Sequence, residues 1–116
     1  IRDRPFFKAI GVGDGSEIST ALRYNATALL LDAHAPGLYG GTGRTIDWNT
    51  AASFVEEKSA PPIILAGGIT VENAAESLLT SRACALDIAS GAESTPGIKD
   101  FGKISALLEI LRSLPE

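Results

Sequence analysis

Four short apolar runs divide the chain, at residues 6–12, 28–33, 62–68 and 83–90. They are rich in aliphatic residues and alternate only weakly with polar ones, which is typical of strands buried on both faces of a parallel sheet. A segment with helical spacing follows each run. The pattern therefore predicts the element order β-α-β-α-β-α-β-α.

Each predicted helix has its own start or stop signal. Ser16 is predicted to cap a short helix that Asn25 closes, and a second helix is predicted over residues 51–58, before "APP". Thr70 is predicted to cap the third helix and Asp100 to begin the fourth. The predicted apolar stripe of the fourth helix consists of Ile104, Leu107, Leu108 and Leu111.

This order predicts an α/β fold with a parallel sheet. Two architectures fit it, a doubly wound sheet and half of a (β/α)₈ TIM barrel. In both, functional groups gather where the strands end at their carboxyl edge. The residues at the four strand ends are therefore the first place to look for chemistry.

Composition narrows the class of protein. The 116 residues are 45% apolar and 21% charged, with a formal net charge of −4 and no basic run, which argues against nucleic acid or an anionic membrane as the main partner. No apolar stretch approaches the roughly 18 residues of a membrane span, and we expect a cytoplasmic protein. Because the chain lacks methionine and opens on Ile1, we expect a piece of something longer.

Glycines lie at the ends of the second and third predicted strands, and the second also ends in an aspartate. The second ends in Asp32 and runs into "LYGGTGRTIDW", in which Gly40, Gly41 and Gly43 form a glycine loop without the lysine–serine pair of a nucleotide-binding P-loop. The third strand ends in "AGG", with Gly67 and Gly68, just before a predicted helix start. Such small residues let backbone N–H groups approach an anion closely.

The fourth predicted strand contains Asp87 and ends with Ser90 and Gly91, followed by "PGIKD". Small residues at two successive strand ends predict a phosphate site, a recurring device of barrel enzymes. The same glycines also fit simple turns. Asp32 fits a catalytic acid, a helix cap or a structural acceptor, whereas Asp87 fits a barrel interior or an ion pair with Lys8.

The single histidine and the single cysteine receive structural interpretations. His34 has no second ligand or nucleophile at usable spacing and is predicted to be solvated. Cys84 has no nearby base and is predicted to be a small core thiol. The sequence shows no metal-ligand cluster.

Six segments together resemble one family, N-(5'-phosphoribosyl)anthranilate isomerase of tryptophan biosynthesis. They are "FKAIGV", "LLLDA", "GGTGRTIDW", "ILAGGITVENA", "LDIASGAE" and "PGIKD", in the family's order and at its spacing. The resemblance covers nearly the whole chain, from Phe7 to the last helix. It implies a (β/α)₈ barrel in which this chain, residues 1–116, supplies the C-terminal half, strands five to eight with their helices.

The resemblance also implies a reaction that needs no metal or cofactor. Asp32 matches the family's general acid, which protonates the ribose ring oxygen. Ring opening gives a Schiff base, and a general base removes the C2' proton in an Amadori rearrangement to 1-(2-carboxyphenylamino)-1-deoxyribulose 5-phosphate. Asp87 matches a family aspartate with a structural or orienting role.

Two groups of residues match the family's substrate contacts. The glycine loop with Gly40, Gly41 and Gly43 resembles the loop that folds over the substrate. The family's phosphate cradle is matched by Gly67, Gly68, Ser90 and Gly91.

This sequence departs from the family's pattern at the general base. That base is a cysteine on the first strand of the barrel, in the half that this chain lacks, and Cys84 does not match it. The anthranilate-binding arginine also belongs to the other half. We therefore expect the chain alone to be inactive, and its partner to be the missing N-terminal half, a second copy, or the rest of a multifunctional tryptophan-pathway protein.

Three other interpretations stay open. Another ribose-phosphate barrel enzyme, such as indole-glycerol-phosphate synthase, would share the fold. A non-catalytic, self-associating half-barrel would share the phosphate site. A doubly wound response-regulator-like domain would need clustered acidic residues after the first strand, where "AIGVGDG" offers only Asp14.

Overall fold

A computed structural model describes residues 4–32 and 47–115 and contains a four-stranded parallel sheet. Its strands are β1 (Phe7–Gly11), β2 (Ala28–Asp32), β3 (Ile63–Ala66) and β4 (Ala85–Asp87), in the order β1-β2-β3-β4. All four predicted strands are confirmed, each shorter than its apolar run. Every strand pairs with the next one in sequence.

The helices are α1 (Ile18–Ala21), which continues into a 3₁₀ turn (Leu22–Tyr24), α2 (Trp48–Glu56), α3 (Ala74–Ser81) and α4 (Phe101–Ser113). A second 3₁₀ turn (Ser90–Ala92) leads into an antiparallel hairpin of β5 (Glu93–Thr95) and β6 (Ile98–Lys99). The sequence analysis missed this hairpin because its strands are too short and polar to show a period.

Two of the predicted helix signals are confirmed. Asp100 caps α4, where its carboxylate accepts the Lys103 N–H at 3.0 Å. Asn25 ends the first 3₁₀ turn in the left-handed conformation, at φ 51°. This is a conformation that asparagine adopts more readily than most residues.

The predicted caps of α1 and α3 are wrong. The residue immediately before α1 is Glu17, not Ser16. Its carboxylate accepts hydrogen bonds from the backbone N–H groups of Gly13 (2.8 Å) and Gly15 (3.1 Å), which precede the helix. Helix α3 begins at Ala74 rather than after Thr70, because residues 71–73 form a turn first.

Helix α2 begins earlier than predicted, at Trp48 rather than at residue 51. Asp47 caps it by accepting the Asn49 N–H at 2.9 Å. The apolar pattern alone did not show this cap, because the first turn of α2 contains two polar residues, Asn49 and Thr50.

The core lies between one face of the sheet and the helices. Its largest fully buried apolar side chains are Leu29, Leu31, Leu65 and Phe54. Ala51 of α2, Ala74 of α3 and Leu107 of α4 complete the cluster from the helix side. Leu108, which was predicted to face the core beside Leu107, is instead 47% exposed.

The opposite face of the sheet is less covered. Leu30 and Ile64 are half-buried there, and Phe7 on β1 is 64% exposed. The expectation that every strand is buried on both faces is therefore wrong, most clearly for β1. We call this surface the open face, defined by Phe7, Ala9, Leu30, Ile64 and Ala85.

The strand order argues against the doubly wound alternative. A doubly wound sheet reverses its order at a switch point, where helices change faces. Here the strands run sequentially, and right-handed crossovers between sequential parallel strands place their helices on one side. The α/β class with a parallel sheet is confirmed. None of the helices described within residues 4–32 and 47–115 has both the length and the hydrophobicity of a membrane-spanning helix.

Candidate functional site

The carboxyl ends of the four strands form one register row. Gly11 pairs with Asp32, Asp32 with Ala66, and Ala66 with Asp87. Side chains that pair in register point to the same face of a parallel sheet, and neighbouring strands lie about 4.8 Å apart. Asp32 and Asp87 therefore lie on the open face, about 10 Å apart at the backbone, with Ala66 between them.

Asp32 is half-buried at the end of β2. Its backbone carbonyl accepts the Val12 N–H at 2.9 Å, which extends the β1–β2 pairing one residue past the end of β1. The loop after β1 is therefore held beside this aspartate. Position and burial fit an acid that works at the rim of the open face.

Asp87 is exposed on the edge strand β4. The alternative that it pairs with Lys8 is wrong, because Lys8 lies on the other edge strand and pairs in register with Leu29, on the helix-covered face. The Lys8 ammonium lies 4.6 Å from the centre of the Tyr24 ring, a cation–π contact. Asp87 therefore lies on the open face of the sheet, opposite to the face that carries Lys8.

The loop after β3 requires its two glycines. Gly67 and Gly68 adopt φ angles of 90° and 70°, a backbone conformation that residues with a Cβ rarely adopt. Two successive residues of this kind turn the chain sharply from the end of β3 to buried Ile69. The "AGG" stretch thus brings backbone, rather than side chains, to the carboxyl edge of the sheet.

Asn73 fastens this loop and is a residue that the sequence analysis missed. Its side-chain amide donates to the Gly68 carbonyl at 2.9 Å, and its side-chain oxygen accepts the Thr70 N–H at 2.8 Å. An asparagine three residues after a predicted threonine cap was the available signal. Its side chain ties residues 68 and 70 together and makes no capping hydrogen bond to α3.

Ser90 and Gly91 begin the 3₁₀ turn after β4, and this turn packs directly on the loop after β3. A Cβ built on Gly91 would lie 1.8 Å from the Ile69 carbonyl oxygen. Only glycine permits this approach. The structure therefore brings together the two glycine-containing stretches that were predicted to form a phosphate site.

A cavity of about 450 Å³ lies behind these loops, between the starts of α3 and α4. It shares only Ser90 and Gly91 with the predicted phosphate residues and is also lined by Glu72, Asp100 and Lys103. Glu72 accepts its own backbone N–H and bonds the Thr70 side chain, and these contacts, together with the charge of Lys103, lower its pKa. Two carboxylates against one ammonium disfavour an anion here, so we do not place the phosphate in this cavity.

The two lysines near these loops, Lys99 and Lys103, both contact Glu93 of the hairpin. The Lys99 ammonium forms an ion pair with the Glu93 carboxylate at 3.1 Å, and that hydrogen bond lowers the pKa of Glu93. The Lys103 ammonium donates to the Glu93 carbonyl at 2.7 Å. The Lys99 ion pair joins the two strands of the hairpin, and Lys103 ties the hairpin to α4.

The predicted glycine loop and the single histidine are not part of the described structure, whereas the single cysteine is. Gly40, Gly41, Gly43 and His34 lie outside the described residues. Cys84 lies just before β4, where its N–H donates to the Ile63 carbonyl at 2.9 Å. Its side chain is exposed, so the expectation of a core thiol is wrong: the edge position of β4 leaves it uncovered.

Comparison with known proteins identifies the family. The family model "N-(5'phosphoribosyl)anthranilate (PRA) isomerase" matches residues 1–110. The N-(5'-phosphoribosyl)anthranilate isomerase of Hahella chejuensis is 43% identical over 107 residues, which are 90% of this chain and 48% of that protein. The chain thus spans about half the length of the curated relatives it matches.

Solved structures agree. Phosphoribosyl anthranilate isomerase from Thermus thermophilus superposes with a TM-score of 0.78 at 37% identity, over 98% of this chain and 53% of that one. A phosphoribosyl anthranilate isomerase in complex with reduced 1-(o-carboxyphenylamino)-1-deoxyribulose 5-phosphate superposes with a TM-score of 0.74 at 27% identity, over 95% of this chain and 50% of that one. With its sequence and its fold matched along nearly its whole length, the chain belongs to the N-(5'-phosphoribosyl)anthranilate isomerase family.

Proposed function

We propose that this chain supplies the acid and the phosphate site of a phosphoribosylanthranilate isomerase. The reaction is the Amadori rearrangement of N-(5'-phosphoribosyl)anthranilate to 1-(2-carboxyphenylamino)-1-deoxyribulose 5-phosphate. Residues 1–116 would form the C-terminal half of a (β/α)₈ barrel. The sequential sheet, helices on one side and relatives about twice as long support this assignment.

The observation on which the proposal depends is the register row at the carboxyl edge. It puts Asp32 on the open face, one strand from the glycine turn after β3 and on the same face as Asp87. This register supports a site in which the proposed acid lies beside the proposed backbone anion site, as a sugar phosphate requires. Anchoring the phosphate fixes the sugar relative to the acid, which is the source of the rate gain from positioning.

The proposed chemistry uses Asp32 as the general acid. Its proton goes to the ribose ring oxygen as the bond from that oxygen to C1' breaks, which leaves a Schiff base between C1' and the anthranilate nitrogen. A base then removes the C2' proton, and the electron pair moves to form an enamine that tautomerises to the ketone. The base lies outside this chain, and Asp87 would orient the sugar from the same face.

The proposed phosphate contacts are backbone groups of Gly67, Gly68, Ser90 and Gly91. Two features support them: the paired left-handed glycines, and the approach of Gly91 to the Ile69 carbonyl, which together bring two small-residue turns against each other. The relative solved with a reduced deoxyribulose 5-phosphate ligand binds a phosphate ester of this class. Gly40, Gly41 and Gly43 are proposed to cover the substrate.

Completion of the site requires four more strands. Both edge strands, β1 and β4, have an outer side that faces no other strand of this sheet, and the open face presents Phe7 and Leu30. We propose the N-terminal half of the barrel as the group that covers them. A second copy of the chain is the competing occupant.

The test is reconstitution. The chain is mixed with a polypeptide carrying the first four βα units of the family, and turnover of phosphoribosylanthranilate is followed by its fluorescence. Turnover by the mixture and not by either half is expected, and Asp32→Asn should lower it by about 10²–10⁴-fold. Glu109→Gln, the same carboxylate-to-amide change at an exposed residue of α4, should leave it unchanged.

Other outcomes separate the alternatives. Full turnover by Asp32→Asn would contradict its role as the acid. Phosphate-ester binding by the chain, without turnover in any mixture, would favour the non-catalytic phosphate-binding module. An eight-stranded assembly of two copies would appear in sedimentation as a dimer of the chain alone.

A further inference from the structure

We infer that Asn73 is a positioning residue for the phosphate site, acting through the loop after β3. The inference rests on the proposed function, since it concerns the same anion site. Asn73 is not proposed to contact the phosphate itself. Its side chain holds the Gly68 backbone, which is proposed to contact the phosphate.

The first step is the pair of hydrogen bonds. The Asn73 side chain donates from Nδ2 to the Gly68 carbonyl at 2.9 Å and accepts at Oδ1 from the Thr70 N–H at 2.8 Å. One planar amide thus bridges two backbone groups on either side of buried Ile69. A bridge with one donor and one acceptor fixes both the position and the direction of this backbone.

The second step is the conformation that the bridge holds. Gly67 and Gly68 both lie at positive φ, and glycine has more unfolded and alternative conformations to lose than any other residue. Without a clamp, two successive glycines would sample several orientations of their peptide groups. Binding an anion would then include the entropic cost of ordering them.

The third step links the clamp to the neighbouring turn. The Ile69 carbonyl, between the two clamped groups, is the atom against which Gly91 packs. Displacement of residues 68–70 therefore also displaces the turn that begins at Ser90. Asn73 controls both proposed halves of the phosphate site from a position outside it.

Asn73→Asp separates positioning from folding. Aspartate keeps the oxygen that accepts the Thr70 N–H, but it replaces the donor to the Gly68 carbonyl with a second carboxylate oxygen, which repels that carbonyl. Asn73 is the residue before α3, but its side chain makes no capping hydrogen bond to that helix, so the change removes no cap. A negative charge at this position favours the helix start. The thermal unfolding midpoint should therefore stay close to that of the unmodified chain.

The experiment titrates the unmodified chain, Asn73→Asp and Asn49→Asp with inorganic phosphate, following backbone amide signals by NMR. Asn49 is a matched control, an exposed asparagine in the first turn of α2. Signals of Gly67, Gly68, Ser90 and Gly91 should shift in the unmodified chain. Asn73→Asp should raise the dissociation constant for phosphate about tenfold, the equivalent of one hydrogen bond, whereas Asn49→Asp should leave it unchanged.

Equal binding by Asn73→Asp and the unmodified chain would overturn the positioning role and leave the proposed phosphate site standing. Equal weakening by both aspartate variants would also overturn it, since added charge alone would then explain the loss. No shift at the four residues in the unmodified chain would overturn the phosphate site itself, and the positioning role with it.

Discussion

The backbone of Gly91 lies against the carbonyl oxygen of Ile69 so closely that no side chain fits between them. A Cβ on Gly91 would lie 1.8 Å from that oxygen and 3.2 Å from Cγ2 of Ile88. The first distance is less than a carbon–oxygen contact allows, and the atom it meets is backbone rather than a flexible side chain. The turn after β4 and the loop after β3 therefore form one packed unit.

Gly91→Ala should separate this unit. We expect a loss of about 1–3 kcal/mol in the free energy of unfolding, because the turn must withdraw from Ile69 to admit the methyl group. Denaturant unfolding measures the loss. Gly102→Ala, the same change within α4, is the control: its Cβ would lie 3.1 Å from the Asp100 carboxylate, a side chain rather than backbone, so the effect should stay within about 1 kcal/mol of zero. Equal effects of the two changes would contradict the close approach.

Phe54→Ala should be among the most destabilising substitutions in the described part of the chain. Phe54 is 1% exposed between α2 and the sheet, and its removal leaves a cavity worth about 3–5 kcal/mol. Phe101→Ala is the matched control, since Phe101 is 84% exposed and its loss should cost under about 0.5 kcal/mol. Phe54→Leu should fall between them, which keeps the comparison measurable if Phe54→Ala does not fold.

Asp100→Ala should weaken the start of α4 by about 1 kcal/mol, because the Lys103 N–H loses its acceptor. Thermal unfolding followed by circular dichroism measures the effect. Asp100→Ser, which retains a capping oxygen, should recover most of the loss. If serine were no better than alanine, the hydrogen bond at 3.0 Å would not be the source of the stability.

Glu93→Gln should flatten the acid limb of the stability curve. The Lys99 hydrogen bond lowers the pKa of Glu93 from its ordinary 4.5, so the ionised form stabilises the fold above that value. This contribution is lost as the pH falls from 4.5 through the lowered pKa. The difference in unfolding free energy between the unmodified chain and Glu93→Gln should therefore be largest at neutral pH and shrink below 4.5.

The control for this pH series is Glu109→Gln, an equal change at an exposed residue of α4. Its stability curve should run parallel to that of the unmodified chain. A constant offset for Glu93→Gln across the whole pH range would show that packing, rather than the charge of Glu93, is responsible.

The strands were predictable because burial leaves a strong trace in sequence. Residues such as Leu29, Leu31 and Leu65 fill runs that have no helical period, and the βα order follows from them. The order also located Asp32 and Asp87 at strand ends. Their common face is a matter of register, which pairing between strands decides and which no single run displays.

The loop details were less predictable, because they depend on contacts between segments. Thr70 has the sequence features of a cap, yet Asn73 organises the loop by reaching back to Gly68. The importance of Gly91 depends on Ile69, a residue distant in sequence. Gly67, Gly68 and Gly91 lie in turns, as the sequence predicted, and their proposed phosphate contacts remain predictions that the titration described above tests.

The sequential order of the sheet has a consequence for how the chain folds. No strand of the four-stranded sheet has to wait for a partner from a later, non-neighbouring segment, since each pairs with the one made just before it. Pairing each strand with the one before it keeps the loops that must close as short as a parallel sheet allows, and this order suits a chain that emerges gradually from the ribosome. Each new strand finds its template already in place, so the sheet can grow in the direction of synthesis.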